Sequence, residues 1–574
     1  RDWAGGVDAA VDRAEDAAAN AAAAQEAAED ARDEAIHAAE DARVEALIDD
    51  IAALLASTTT WTAGALLETR TEGFRYRVVA DASQADLTTA GAVMVRALPA
   101  GGAYDVGQFG AIGDGVTDAT AAIQGAIDAA AARGGKVHLP PGDYFVSATL
   151  YLPSHTSILA QGARIIASEV EFPRNERMND AVEHGGYQSN SRPVISNTDP
   201  AGGNLNILID GLTIYSNYTG PNHTMHLRRI TGLTISNCEL HRGRSAIALL
   251  ACKDFSVTRC RIYAHLNGGV DTWEGCQNGA ISHNLIDGSD TDVSDVSTHG
   301  IFVTPGPTDD TDPAIHTARN IAVIGNIVKN TRNTGLWAGG GAGNPSRAQD
   351  AVKHLMIVGN TFDNIGNIAG ATGGYGVLID RGDTITISGN TFNNIAQDGI
   401  FTRKGLTSGD ALVVGVAITG NSFKNVGIRF PGYFVRLSDT SSSVIAGNVG
   451  RGSTHLRPLL ELESCQQNTI GLNRWPNGTD GGVLMSGTDG EYTIKASVSW
   501  DIPLVPHGGQ VSRQVTVEGA IRGKPVIVTT GAEILGLMVW GQIKDPGELT
   551  IYASNMTGNT IDIGTVNFNI TVMP

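Results

Sequence analysis

At 574 residues with a formal net charge of −20, the chain is long enough for several packed units. It is too acidic for a general nucleic-acid binder, whose phosphate contacts need basic stripes. Glycine is abundant, at 71 residues, and charged residues make up only 17 %, a balance that suits a turn-rich β protein rather than a disordered one. Cys238, Cys252, Cys260, Cys276 and Cys465 follow neither a zinc spacing nor a small disulfide framework. No apolar run reaches the length of a membrane span, so membrane insertion is not expected. No signal peptide opens the sequence, and because it begins at Arg1 a preceding portion is expected.

Residues 3–56 read as one long helix rich in Ala, Glu, Asp and Arg, with Val44, Leu47, Ile48, Ile51, Leu54 and Leu55 at a/d-like offsets. So narrow an apolar seam stabilises a helix poorly unless partners cover it, so a coiled-coil stalk is expected over 1–56. Residues 57–103 switch to short strand-like runs separated by glycine turns, such as Phe74–Val79 and Ala92–Val95. They are expected to form a small β connector.

From Tyr104 the chain reads Tyr104-Asp105-Val106-Gly107-Gln108-Phe109-Gly110, then Gly113-Asp114-Gly115-Val116-Thr117-Asp118. An amphipathic helix follows, carrying Ile123, Ala126, Ile127 and Ala130 on one face and stopping at Gly134-Gly135. Thr117 or Asp118 is the expected N-cap. Strand-like runs continue through Ile165-Ile166. This region resembles the start of pectate-lyase-like proteins, in which such a helix covers the open end of a β-helix. Without a cap, a solenoid exposes its core and its edge strands.

Between about 205 and 475 one pattern recurs: apolar-x-apolar-x-Gly-Asn-x-apolar-x-Asn-apolar. Clean copies align Asn326, Asn360, Asn390 and Asn421, with a second asparagine four residues later at 330, 364, 394 and 425. Degenerate copies put Leu212, Cys238, Cys260, Asn284, Asn448 and Asn473 in the first slot, at intervals of 22 to 42 residues. Such intervals suit one turn of a parallel β-helix, with insertions leaving as loops. The asparagines are expected to occupy bends, tolerate left-handed backbone and bond the next coil. Cys238 and Cys260 are expected to stack as buried thiols.

After each bend comes a further strand, in which alternation turns Val270, Ile301, Leu336, Val377 and Ile400 inward. Asp271, Phe302, Trp337, Leu378 and Phe401 then face out, an apolar and aromatic row with a carboxylate at its N-terminal end. Residues 104–485 are therefore assigned to a capped right-handed parallel β-helix. The span 486–574 loses the asparagine repeat and is expected to be a β-sandwich serving trimerisation or glycan binding.

A stalk, a β connector, a capped pectate-lyase-like β-helix and a terminal β domain together resemble a phage tailspike that depolymerises polysaccharide. Pro546-Gly547-Glu548-Leu549-Thr550-Ile551-Tyr552 resembles terminal domains of phage fibres and spikes. The resemblance implies a homotrimer, attachment to a phage tail or baseplate through the N-terminal stalk, a virion-tail location outside the cell, and a bacterial surface polysaccharide as partner. It also implies glycosidase or lyase activity.

Glycoside hydrolysis usually needs one protonated and one ionised carboxyl, about 5–5.5 Å apart for retention or about 6.5–9.5 Å for inversion. Asp271 is the first candidate. Its partner is sought in Glu274 or in the acidic stretch holding Asp287, Asp292 and Asp295, with His299 following. Ser297-Thr298-His299-Gly300 resembles the His–Gly element of polygalacturonases, but the adjacent acid pair and the Arg-Ile-Lys are absent, so pectin is not carried over. Trp273, Phe302, Trp337 and Phe401 are candidates to stack on sugar faces. Arg332, Arg381 and Arg403 are candidates to grip them. No resident metal or cofactor is expected beyond a structural cation at the acidic loop. A non-catalytic adhesin of the same fold and a polysaccharide lyase or epimerase are the alternative readings.

Overall fold

The computed structural model describes residues 44–167, 193–216, 223–289, 299–305, 317–339, 352–368, 371, 373–404, 413–451, 460–471, 473, 483–486, 493–517, 520, 522–530, 534 and 536–572. The chain divides into two compact units, Arg1–Gly110 and Ala111–Pro574.

In the first unit a five-stranded sheet takes the order Ala46–Ile48, Leu66–Thr69, Arg75–Val78, Met94–Leu98, Leu87–Thr88. The single helix expected over 3–56 is corrected here, because Ala46–Ile48 is a strand paired in parallel with residues 67–69. A new helix, Ile51–Ala56, starts only after Asp50, whose carboxylate accepts the Ala53 backbone N–H at 2.7 Å. Asp50 is thus an N-cap in the middle of the supposed helix. Leu54 is buried within this unit rather than left on a seam. The rest of the proposed stalk, including its coiled coil, lies outside the described residues.

In the second unit the strand Asp114–Asp118 is followed by the helix Thr120–Arg133, which packs Ile123, Ala126 and Ile127 against the strands Lys136–Leu139 and Leu150–Leu152. Gln124 closes the edge strand by accepting the Tyr151 N–H at 2.8 Å and donating to its carbonyl at 2.9 Å. That answers the open-end problem with one side chain. The N-cap position itself is Ala119. Asp118, one residue earlier, accepts from the Thr120 N–H and hydroxyl instead.

Behind the cap the chain winds through three parallel sheets in a fixed order. The strand His299–Val303 belongs to the first sheet, Arg319–Ile324 to the second and Ile327–Lys329 to the third, before Thr334–Ala338 returns to the first. The first and third sheets each hold twelve strands. The asparagine slot marks the corner between the second and third sheets. There the amides form one unbroken ladder, Asn284 to 326, 360, 390, 421, 448 and 473, with Nδ2–Oδ1 distances of 2.8–3.0 Å. Each Oδ1 also accepts the backbone N–H of the previous asparagine, as Asn360 does from Asn326 at 2.9 Å. Each Nδ2 also reaches back to a carbonyl, as Asn360 does to Val323 at 2.8 Å.

The left-handed geometry expected of these asparagines is divided between two neighbours. The preceding glycines (Gly325 at φ +64°, Gly359 at +65°) and the second asparagines (Asn330 at +58°, Asn364 at +55°) take positive φ, leaving the first asparagine free to bond. Cys238 and Cys260 occupy the same slot as buried free thiols.

Inside the coils, Val270, Ile301, Leu336, Val377 and Ile400 are in register and fully buried. The third sheet contributes a phenylalanine stack, 362 on 392 on 423, which Phe434, just before the first-sheet strand Val435–Ser438, continues, with centroids 4.8–5.4 Å apart. The repeated glycines at 335, 376 and 399 make room for it. A Cβ on any of them would come within 2.4–2.6 Å of Phe362, Phe392 or Phe423.

At its far end the second sheet runs directly into the C-terminal domain. Strand Thr493–Ile502 pairs in parallel with Thr469–Ile470 and antiparallel with Gly564–Val572. A three-stranded antiparallel sheet, Gln510–Thr516, Glu548–Asn555 and Leu537–Asp545, packs over it to enclose Trp500, Leu549, Ile551 and Phe568. This is the expected sandwich. Among the described residues, no helix is long and apolar enough to cross a membrane.

Candidate functional site

The outer row of the first sheet follows from alternation plus register. Reading along the coils, Cα pairing places His226, Ala248, Asp271, Phe302, Trp337, Leu378, Phe401, Arg436 and Glu461 side by side. At about 4.8 Å per strand the row spans roughly 38 Å, the length of a saccharide chain rather than of a small metabolite. The predicted row from Asp271 to Phe401 is its central part, but the expected exposure is corrected: Asp271, Phe302, Leu378 and Phe401 are buried, and of the five only Trp337 is half-buried.

Around Asp271 the row is aromatic. Phe302 lies 4.9 Å edge-on from Trp273, 4.8 Å from Trp337 and 5.7 Å, stacked, from His299, while His299 lies 4.9 Å from Trp337. Asp271 itself is fully buried. Ser245 Oγ and, at 3.3 Å, Asn267 Nδ2 both donate to Oδ2, whereas Oδ1 has no hydrogen-bond partner. The Trp273 indole N–H faces this carboxyl without reaching full hydrogen-bond geometry. Burial pushes the Asp271 pKa up to about 6, against the lowering effect of Ser245 and Asn267.

A local break in alternation seats the carboxyl. Gly268 and Gly269 precede Val270, and a Cβ on Gly268 would fall 1.6 Å from Asp271 Oδ1. Only a residue without a side chain leaves that space. Gly268 is the Cα partner of His299 in the next coil, whose ring packs on Phe302 and Trp337. His299 is almost fully buried, and its Nδ1 has no hydrogen-bond partner. Burial and the neighbouring His265 push its pKa down to about 3, which keeps the ring neutral. Burial likewise lowers His265 to about 4 and His223 to about 3.

The other candidates are dispersed. Glu274 forms a buried ion pair with Arg228 at 2.9 Å. Asp287 ends a third-sheet strand, where it binds Lys329 at 2.9 Å and accepts from Asn330 and Ser289. It therefore does not share a sheet with Asp271. Asp292 and Asp295 lie outside the described residues. Arg332 lies at the turn leading into the strand Thr334–Ala338, and Arg381 is buried at a corner with φ +63°. Arg403 pairs with Asp380, which also accepts the Trp337 indole N–H at 2.9 Å. Farther along, the Arg436 guanidinium lies 4.7 Å from the Phe401 ring centre and 2.7 Å from Glu461.

Reading the sequence left out several of these partners. Ser245, Asn267 and Gly268 hold Asp271, while His226, Ala248, Arg436 and Glu461 extend its row. The strand pattern around Ala246-Ile247-Ala248-Leu249 carried enough alternation to extend the row one coil earlier. The space left at Gly268 carried no such signal.

The architecture defines the chain as a right-handed parallel β-helix protein with one built-up outer sheet face. By sequence, residues 103–409 match the model of the family described as rhamnogalacturonase A/epimerase, pectate lyase-like, and the chain belongs to that family. Residues 348–501 also match the model of the right-handed β-helix region. A mannuronan C5-epimerase of Azotobacter vinelandii, AlgE6, is 67 % identical over 46 residues, which is 8 % of this chain and 5 % of that protein. The chain thus spans only about a twentieth of that relative's length. Among solved structures, a mutant tailspike protein of E. coli bacteriophage HK620 in complex with pentasaccharide matches with a TM-score of 0.50 at 13 % identity, covering 82 % of this chain and 94 % of that one. The surface adhesin PfbA of Streptococcus pneumoniae matches at 0.48 and 18 % identity, covering 68 % of this chain and 94 % of its own.

Proposed function

We propose that the chain binds a bacterial surface polysaccharide along the outer row of the first sheet and cleaves it by glycoside hydrolysis, as an extracellular, tail-attached spike acting as a homotrimer. The observation that carries this reading is Asp271, a buried acid with one oxygen held and one bare, beside a run of aromatic rings. With its pKa raised to about 6, it keeps a proton under mildly acidic conditions and donates it to the glycosidic oxygen as the leaving group departs. The second carboxyl, which activates water or attacks the sugar, is assigned to Asp292 or Asp295 in the segment that leads into His299. Glu274 is committed to Arg228 and supports the wall behind Trp273. Trp273 and Trp337, both half-buried, supply apolar surface for sugar C–H faces, with Phe302 and Phe401 buried among their neighbours. A phage tailspike of this fold has been solved with a pentasaccharide, the class of ligand proposed here.

A second reading, chemistry at a uronate carbon by an epimerase or lyase, is supported by the family match, whose description includes an epimerase. Incubation with host polysaccharide separates the outcomes. New reducing ends without ultraviolet absorbance, lost in Asp271→Asn, support hydrolysis. Ultraviolet absorbance of an unsaturated uronate supports elimination. Binding with no change in the polymer reduces the protein to an adhesin.

A further inference from the structure

The C-terminal domain buries its large aromatics, with Trp500 at 5 % and Phe568 at 0 % exposure, yet leaves Trp540 at 37 %. Trp540 stands on the outer side of the three-stranded sheet, whose inner side packs Val515, Leu537, Ile543, Leu549 and Ile551 into the core. In register across the three strands are Trp540, Tyr552 and Ser512, with Gln542, Thr550 and Gln514 in the neighbouring row. The two rings are parallel to within 13° at 5.2 Å, and Lys544 Nζ lies 5.3 Å from the Tyr552 ring centre.

We propose that this face is a second saccharide-binding site, separate from the β-helix row and recognising an extended oligosaccharide. Ring faces match the apolar C–H faces of pyranose sugars, and uncharged amides and hydroxyls beside them match sugar hydroxyls in both donor and acceptor roles. The informative feature is not one exposed aromatic but the paired Trp540 and Tyr552 rings together with the polar row beside them. Size selects the occupant. Three strands about 4.8 Å apart and about eight residues long make a face of roughly 14 by 27 Å, on the order of 400 Å². A stable protein partner needs about 800 Å² per side. A saccharide of a few units fits, and a flat face suits an extended polymer rather than a compact ligand.

The proposal does not rest on Asp271, so the test uses the full chain carrying Asp271→Asn, which cannot degrade the probe by the mechanism proposed above. This parent and its Trp540→Ala and Gln542→Ala derivatives are applied to an array of bacterial surface glycans. Mass is followed by light scattering and folding by circular dichroism. The proposal expects a loss of apparent affinity of at least fivefold in Trp540→Ala and a smaller loss in Gln542→Ala, at unchanged mass and fold. Equal binding by all three overturns it, as does failure of the parent to bind any glycan. A lower mass in Trp540→Ala also overturns it, because the face is then a contact between copies of the chain. The Asp271 reading is scored separately, by the reducing ends released by the unsubstituted protein.

Discussion

Two regions of the β-helix treat polar groups in opposite ways. At the corner between the second and third sheets, every ladder asparagine from 326 to 448 uses its oxygen twice and its amide twice, and all are buried. On the first sheet, Asp271 is fully buried and His299 nearly so, yet each has a carboxyl or ring atom with no hydrogen-bond partner among the described residues. A buried polar atom left unpaired costs about 1–3 kcal/mol, so the corner stabilises the coils while the row holds unspent bonding capacity. The difference separates scaffold from site on physical grounds.

The largest expected effect breaks the row by acid. His223, His265 and His299 have folded pKa values of about 3 to 4, below the ordinary histidine value of about 6.5. Their contribution to stability is therefore complete above about pH 6.5 and lost as the pH falls towards about 4. Asp271 runs the other way, its contribution being present below about pH 4 and lost as the pH rises through about 6. Three histidines outweigh one carboxyl, so the denaturant midpoint falls from about pH 7 to about pH 5, and more steeply in Asp271→Asn. A flat profile would mean that these rings are charged or solvated.

Asp271→Asn is expected to lower turnover by about 10²–10⁴-fold with no loss of stability at neutral pH, measured as reducing ends against thermal midpoint. Asn360→Ala should do the reverse. It orphans the Asn326 N–H and amide and the Val323 carbonyl, at a cost of about 3 kcal/mol in urea unfolding, with turnover per folded molecule unchanged. Gly268→Ala pushes the Asp271 carboxyl off its seat and should slow turnover by roughly tenfold to a hundredfold with little change in KM. The smallest effect is expected from Asn364→Ala at a left-handed position, about 1 kcal/mol of stability and nothing in activity.

Much of the scaffold was readable because it is periodic. Asparagines four apart after a glycine, and glycine-led strands that alternate, fix both the corner and the outer row from Asp271 to Phe401. What was not readable depends on neighbours a coil or more away. The Glu274–Arg228 pair joins residues 46 apart, and nothing local in Trp273-Glu274-Gly275 reveals it. Gly268 looked like one more strand-start glycine, although its missing side chain leaves the space that the Asp271 carboxyl fills. At Asp50 the sequence carried an N-cap that the long alanine-rich run concealed, and the strand before it forms only because 66–69 is there to pair with.

The most direct test is a crystal structure of the Asp271→Asn protein soaked with an oligosaccharide product of its host polysaccharide. The account predicts sugar rings lying across Trp273 and Trp337, with a glycosidic oxygen about 2.6–3.2 Å from the side chain of residue 271. Sugar density confined to the second or third sheet, with the outer row of the first sheet bare, would contradict it.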